Sequence, residues 1–508
     1  MRELGIFTDG TICAPATIPG TGAISIIRVS GEDSLAIADK VIDVKGESLS
    51  ETEGYRLRYG TIFADDGSVL DNVIVSVFRA PHSYTGENSV EISCHASRFI
   101  VNAVLELLVN AGARIAAPGE FTRRAFVNGK MDLAQAEAVA DVIASQSAAA
   151  HRVAMNQLKG GFSSELKALR EKLLTMTSLL ELELDFSEED VEFASRSELG
   201  ALVEETLTHI VRLTDSFSRG NAIKNGVPVA IVGATNTGKS TLLNALLGEE
   251  RAIVSDIAGT TRDTIEETLN LGGVMFRFID TAGIRETDEV VEKIGIERTF
   301  RKLNEASIVL GMTDSSRGED TVLSDAEYIW DKVNASSSDR EFVLLVNKCD
   351  VNGIESVEAG SGAGFAGTGS RAGYVETGSE ACCAGKAGKM ARIEAALREK
   401  GIVTKMIPIS AKTGSGLPEL TEALAEIGRR ITGDTDETLV TNIRHYEALS
   451  RAATALRRVQ DGLQVATLPP DLIAQDLREA LYHLGEIVGE ISTDEVLGNI
   501  FRKFCIGK

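Results

Sequence analysis

The sequence predicts a multidomain chain of α/β and all-α parts: an N-terminal α+β domain, a discontinuous helical domain, and an α/β phosphate-loop domain inserted into it. Three observations carry this fold class. Short β-type runs broken by turns fill roughly the first 120 residues. Helical periodicity takes over from Asp132 and returns after residue 431. Between the helical stretches, a strand, a glycine loop and a helix follow one another from Val229 to Leu247.

In the first part, Ala23-Ile-Ser-Ile-Ile-Arg28, Asn72-Val-Ile-Val-Ser-Val-Phe78 and Ser89-Val-Glu-Ile-Ser93 read as strands, and Ser34 to Asp39 and Phe99 to Asn110 as helices. From Asp132, placed to cap a helix, Leu133, Ala136, Val139, Ala140 and Ile143 share one apolar face. After Gly160-Gly161 the pattern Leu166, Leu169, Leu173, Met176, Leu180, Leu184 predicts a second long helix. The same texture returns at Leu449, Ala453, Leu456, Val459, Leu463 and at Leu477, Leu481, Leu484, Val488. One helical domain with an insertion is the reading adopted, two separate helical domains being the alternative. The limits are 1–129, 130–222, 223–431 and 432–508. Residues 353 to 389 are glycine-rich and predict a flexible surface insertion, followed by a helix from Met390 to Lys400.

At 508 residues the chain has room for about three cores. No apolar run is long enough to cross a bilayer, and Met1-Arg-Glu-Leu opens neither a signal nor a transit peptide, so a cytoplasmic protein without membrane partners is expected. Six cysteines, scattered and without C-x-x-C spacing, predict reduced thiols rather than disulfides or zinc. The net charge of −23 opposes broad wrapping of nucleic acid but leaves room for a local basic patch. Its candidates are Arg123, Arg124, Lys130, Arg457, Arg458, Arg502, Lys503 and Lys508, with solvated surface charge as the plain alternative.

The chemistry is concentrated in Gly233-Ala-Thr-Asn-Thr-Gly-Lys-Ser240. Glycines let a backbone approach a polyphosphate, the helix N-terminus points N–H groups at it, Lys239 supplies a charge and Ser240 is placed to hold Mg2+. Thr237, Gly238 and Thr241 complete the cradle. The strand Phe276 to Ile279 leads to Asp280, Thr281, Ala282 and Gly283, where a carboxylate can reach the Mg2+ shell. Gly259-Thr-Thr-Arg-Asp263 lies between, with hydroxyls able to close over the metal. The strand Phe342 to Val346 delivers Asn347, Lys348 and Asp350; the carboxylate can accept from guanine N1 and N2, which adenine cannot match. Ile407-Pro-Ile409 leads to Ser410, Ala411 and Lys412, a loop suited to guanine O6. The order of these motifs specifies a GTP site.

With these motifs laid out, the chain resembles the MnmE (TrmE) family of tRNA-modification GTPases along nearly its whole length. The resemblance rests on Ala14-Pro-Ala-Thr-Ile-Pro-Gly20, Ile27-Arg-Val-Ser-Gly31, Ser83-Tyr-Thr-Gly-Glu87 and the run from Pro118 to Glu137. It rests also on Asp256-Ile-Ala-Gly-Thr-Thr-Arg-Asp263 and the terminus Phe504-Cys-Ile-Gly-Lys508. It implies an N-terminal folate-binding, dimerising domain, and a Ras-like GTPase domain inserted into the helical one. It implies a homodimer that joins the flavoprotein MnmG (GidA) in a heterotetramer. That assembly installs an aminomethyl-type group at C5 of the wobble uridine of certain tRNAs, with 5-formyltetrahydrofolate or a related folate as one-carbon source. Potassium-dependent GTP hydrolysis controls the reaction.

Residue by residue, the resemblance assigns K+ to Asn236, Ser255, Ile257 and Thr260, and Mg2+ to Ser240 and Thr261. Asp256, Ala258 and Gly259 fall in the same GTP-binding loop. Glu292 matches a glutamate that positions the attacking water indirectly, and Arg28, Glu91, Lys130 and Lys508 match the folate site. Cys505 is a candidate for chemistry or for packing, in a tail expected to dock by Phe501, Phe504 and Ile506 near the folate site, across a dimer. A ribosome-assembly or other RNA-associated GTPase switch is the alternative function; the N-terminal domain and the terminus favour modification.

Overall fold

The computed structural model describes residues 10–185, 196–250, 267–279, 305–334, 340–350, 379–402, 404–433, 437–464, 469–491, 494–502, 504 and 507. The chain forms two compact units, one of residues 1–145, 151–215 and 442–508, the other of 146–150 and 216–441.

The first unit begins with strands β1 (Ile12–Pro15) and β2 (Ile24–Ser30), helix α1 (Ser34–Val41) and strands β3 (Ile42–Val44), β4 (Arg56–Phe63), β5 (Val69–Phe78) and β6 (Ser89–His95). Helix α2 (Arg98–Asn110), strand β7 (Arg114–Ile115) and helix α3 (Glu120–Val127) follow. The strands form one sheet in the order β3-β4-β5-β6-β2-β1-β7, antiparallel except for the β1–β7 pair. Alternate residues of a strand face opposite sides. Val73, Val75 and Val77 of β5 are therefore buried with Val90, Ile92, Val104 and Leu108 in one core, while Ile74 is exposed. The three strands read from sequence are all present; β1, β3, β4 and β7 were not read.

The further described helices of this unit are α4 (Leu133–Ala144), most of α5 (Ala148–Leu158), α6 (Gly161–Asp185), α7 (Arg196–Asp215), Ile443–Gln464, Pro470–Val488 and Asp494–Phe501. Asp132 caps α4: its side chain accepts from Gln135 N, and the Gln135 side chain answers to the Asp132 N–H. Helix α7 packs on Ile443–Gln464, and α6 on Pro470–Val488. Glu137 of α4 receives Arg444 at 3.0 and 2.9 Å and His445 Nε2 at 2.6 Å, and the His445 ring stacks on Phe162. Burial would raise the Glu137 pKa, but the contacts with His445 and Arg444 outweigh it and hold it at about 2.

The second unit opens with α8 (Phe217–Asn225) and holds a six-stranded sheet in the order β13-β12-β11-β8-β10-β9. Its strands are β8 (Val227–Gly233), β9 (Glu267–Leu271), β10 (Val274–Ile279), β11 (Ile308–Asp314), β12 (Glu341–Asn347) and β13 (Lys405–Pro408), with α9 (Lys239–Glu250) following β8. All pairs are parallel except β9–β10. Helices Glu319–Asn334, Ser379–Glu399 and Leu417–Thr432 complete the described elements. Separate apolar clusters pack on the two sheet faces, so the central strand β11 is buried at every residue. The parallel order puts the C-terminal ends of β8, β11, β12 and β13 on one edge, where ligands bind in such sheets.

One expectation is corrected here: the helix expected to start at Met390 starts at Ser379, inside the span assigned to the flexible insertion. Alanine, glutamate and lysine among residues 380–389 favour helix enough to carry the glycines between them. Residues 353–378 lie outside the described residues.

Candidate functional site

The β8–α9 loop is closed on itself. Asn236 and Gly238 have φ of 63° and 100°, the left-handed region. At Gly238 a side chain is impossible, since a Cβ would collide with Asn347 Nδ2. Thr237 is buried, its hydroxyl donating to the Ala234 carbonyl at 2.9 Å. Lys239 Nζ donates to the Gly233 and Ala234 carbonyls, each at 2.9 Å, and burial pushes its pKa below the ordinary lysine value. The ammonium and the N-terminus of α9 thus lie at the same end of the β8–α9 turn, an arrangement that attracts anions. Ser240 is half-buried, and Asn236 and Thr241 are exposed.

The β12 end is tied to this loop. Asn347 is buried; its Nδ2 donates to the Thr237 carbonyl at 2.7 Å, and its Oδ1 accepts from Ala411 N at 3.0 Å. One amide therefore fixes the phosphate loop and the 410–412 loop together. Lys348, at φ 63°, donates through Nζ to Asp314 Oδ2 at 2.7 Å. Burial would raise the Asp314 pKa, but hydrogen bonds from Lys348 and Ser316 bring it below the usual carboxylate value. Cys349 N donates to the Ile409 carbonyl at 3.3 Å, which sets Asp350 in the half-buried turn beside the 410–412 loop. Ser410 is buried with its N–H on the Ser415 carbonyl at 2.9 Å, and Lys412 is exposed. The structure thus gathers Asn236 to Thr241, Asn347 to Asp350 and Ser410 to Lys412 on one edge. Ser255 to Thr261, Asp280 to Gly283 and Glu292 lie outside the described residues. Sequence reasoning missed Asp314 and Arg317, whose guanidinium donates to the Thr235 carbonyl at 3.4 Å; the apolar run from Ile308 ending in Asp was the available signal.

A second cluster sits in the first unit. Arg28 and Glu91 face each other across β2 and β6, with Nε to Oε1 at 2.9 Å. The Arg28 guanidinium lies 5.0 Å from the Tyr84 ring centre and 5.6 Å from that of Phe121. The Tyr84 hydroxyl meets Thr122 Oγ1 at 2.9 Å, and burial raises its pKa. Lys130, exposed, donates to the Pro81 carbonyl at 3.0 Å. Residues 81 to 84 thus connect Arg28 to Lys130, and the two aromatic rings were not singled out from sequence. Phe501 and Phe504 are buried with Leu133 and Ala136, and Gly507, at φ 100°, lies against the Pro15 carbonyl of its own chain. The end of the chain therefore meets its start, as expected. Cys505, Ile506 and Lys508 lie outside the described residues. The basic-patch expectation fails at Arg124, which is buried and spends its guanidinium on Glu87, Glu120 and the Gly10 carbonyl.

The model of the GTP-binding protein TrmE N-terminus matches residues 11–130, and the MnmE helical domain model matches residues 133–505. A protein of Parabacteroides distasonis named tRNA modification GTPase MnmE is 50% identical over 501 residues, covering 98% of this chain and 100% of the relative. Its namesake in Bacteroides thetaiotaomicron is 50% identical, covering 98% and 99%. That of Porphyromonas gingivalis is 46% identical over the full length of both chains. Both matched models and full-length relatives of this similarity lead to one assignment: the chain belongs to the MnmE (TrmE) family.

Proposed function

We propose that this chain is a GTP hydrolase acting in tRNA modification. The observation that carries the reading is Asn347, whose single amide joins the phosphate loop at Thr237 to the 410–412 loop at Ala411. That linkage suits one ligand with a polyphosphate at one end and a base at the other. Lys239 and the α9 N-terminus would hold the phosphates, Asp350 the guanine N1 and N2 edge, and Ser410, Ala411 and Lys412 its O6.

Mg2+ would be held by the hydroxyls of Ser240 and Thr261, and K+ by the exposed amide of Asn236 with Ser255, Ile257 and Thr260. When bound, these cations neutralise charge that develops on the phosphates. Asn236 would orient the K+ site, Asp280 would reach the Mg2+ shell, and Glu292 would position the attacking water. Arg28, held on two aromatic faces and paired with Glu91, suits a flat heterocyclic acid, and with Lys130 and Lys508 would hold a folate. The remaining parts of the reading are a homodimer, a heterotetramer with the flavoprotein MnmG, the wobble uridine of certain tRNAs as target, and a cytoplasmic location. Domains are assigned as 1–129 folate-binding, 130–222 with 432–508 helical, and 223–431 for GTP. No helix among the described residues is long and apolar enough to cross a membrane.

Mass analysis of tRNA nucleosides from cells lacking the protein tests the assignment. Loss of the C5 modification at the wobble uridine is expected, and unchanged nucleosides would overturn it. Hydrolysis by the purified chain should be faster in K+ than in Na+ at equal ionic strength; equal rates would remove the potassium part.

A further inference from the structure

Asp314 ends β11 opposite Asn347 in the β11–β12 register, so it stands on the edge that carries the phosphate and base loops. It is only 3% exposed, and its two oxygens have separate tasks. Oδ1 accepts from Ser316 N at 2.9 Å and Ser316 Oγ at 2.6 Å, capping the short 3-10 turn Ser315–Arg317. Oδ2 accepts from Lys348 Nζ at 2.7 Å. A neutral asparagine would serve the turn equally well, because such caps need only an acceptor. A buried charge is costly unless it is paired; Arg317 of the turn stands 4.0 Å from the same Oδ2, but Lys348 at 2.7 Å is the nearer and less exposed cation, so the carboxylate is explained chiefly by Lys348. Lys348 in turn occupies φ 63°, a conformation that a lysine holds only when its surroundings fix it.

We propose that Asp314 is a positioning residue for base recognition: by anchoring Lys348 Nζ it holds the lysine stem as a fixed apolar wall beside Asp350. It thereby sets affinity for the guanine base without touching the nucleotide. The cap supplies the rigidity, since two hydrogen bonds on Oδ1 leave Oδ2 aimed at one place. This inference rests on the GTP reading above and adds to it a residue outside the nucleotide-binding motifs read from sequence.

The test separates base from phosphate. Asp314→Asn keeps the size and the acceptor for Ser316 but removes the charge facing Lys348. Affinity for a fluorescent N-methylanthraniloyl GDP should fall about tenfold, the scale of one charge-assisted hydrogen bond discounted for partial exposure. Affinity for inorganic tripolyphosphate, measured by calorimetry, should be unchanged. Lys348→Met should lose a similar factor for GDP, and the double variant no more than Lys348→Met alone. Equal losses for GDP and tripolyphosphate, additive losses in the double variant, or an unchanged GDP affinity would each overturn the proposal. Failure of the unsubstituted chain to bind GDP would instead remove the nucleotide reading itself, so the two failures are distinguishable.

Discussion

Single residues at the strand-end edge are each held by more than one partner, which makes their substitution informative. Asn347 serves two loops, Lys239 bonds two carbonyls, and Gly238 leaves room for the Asn347 amide. Asp350 differs, because its proposed task lies on the ligand: a carboxylate accepting from N1–H and N2–H of guanine. Asparagine offers one acceptor and one donor, so Asp350→Asn leaves a buried donor of guanine opposed and costs on the order of 1–3 kcal/mol. Xanthine presents a carbonyl at position 2, which the asparagine NH2 can serve. GTP affinity should therefore fall by roughly ten- to a hundredfold while xanthosine triphosphate gains. A competition assay that finds the nucleotide preference unaltered refutes the role.

Elements are joined by a few buried contacts, and the Glu137–Arg444–His445 cluster between α4 and Ile443–Gln464 is the clearest. The Glu137 pKa is about 2 in the folded chain, against ~4.3 unfolded. A depressed carboxylate contributes stability that is present above the unfolded pKa and is lost as pH falls through the folded one. Glu137→Gln should thus cost on the order of 3 kcal/mol near pH 7 and progressively less from about pH 4.5 towards about 2. Urea midpoints of both proteins at pH 7 and pH 3 check this; a gap that does not shrink with acid argues against the ion pairs. That α4 begins after Asp132 was legible in sequence, because the cap and its Gln135 partner are local. Likewise β8, its loop and α9 were legible, since an apolar run, a glycine motif and a helical period abut. By contrast β4 was not read: Arg56 and Arg58 interrupt it, and only its pairing with β3 and β5 makes it a strand. The burial of Arg124 and the rings around Arg28 depend on residues far apart in sequence, and no local pattern announces them.

On the scale of the whole molecule, the first and last parts of the chain belong to one compact unit and the phosphate loop to the other. This division predicts that tail and hydrolysis can be altered separately. Gly507 is the place to do it, since it is buried, its φ is 100°, and a Cβ there would strike the Pro15 carbonyl. Gly507→Ala adds one methyl group but cannot keep both the backbone conformation and the contact, so position 507 must leave the Pro15 carbonyl. Phe501 and Phe504 remain in their cluster with Leu133 and Ala136, which keeps the rest of the helical bundle in place. If Cys505 and Lys508 act at the cluster around Arg28, as the proposed function has it for Lys508, wobble-uridine modification should then be largely lost, while GTP hydrolysis in K+ stays at the level of the unsubstituted chain. Mass analysis of tRNA from cells carrying the variant, paired with a phosphate-release assay on the purified protein, reads both quantities. Full modification would show that the seating of the tail is dispensable; a parallel fall in hydrolysis would show that the two units do not work independently.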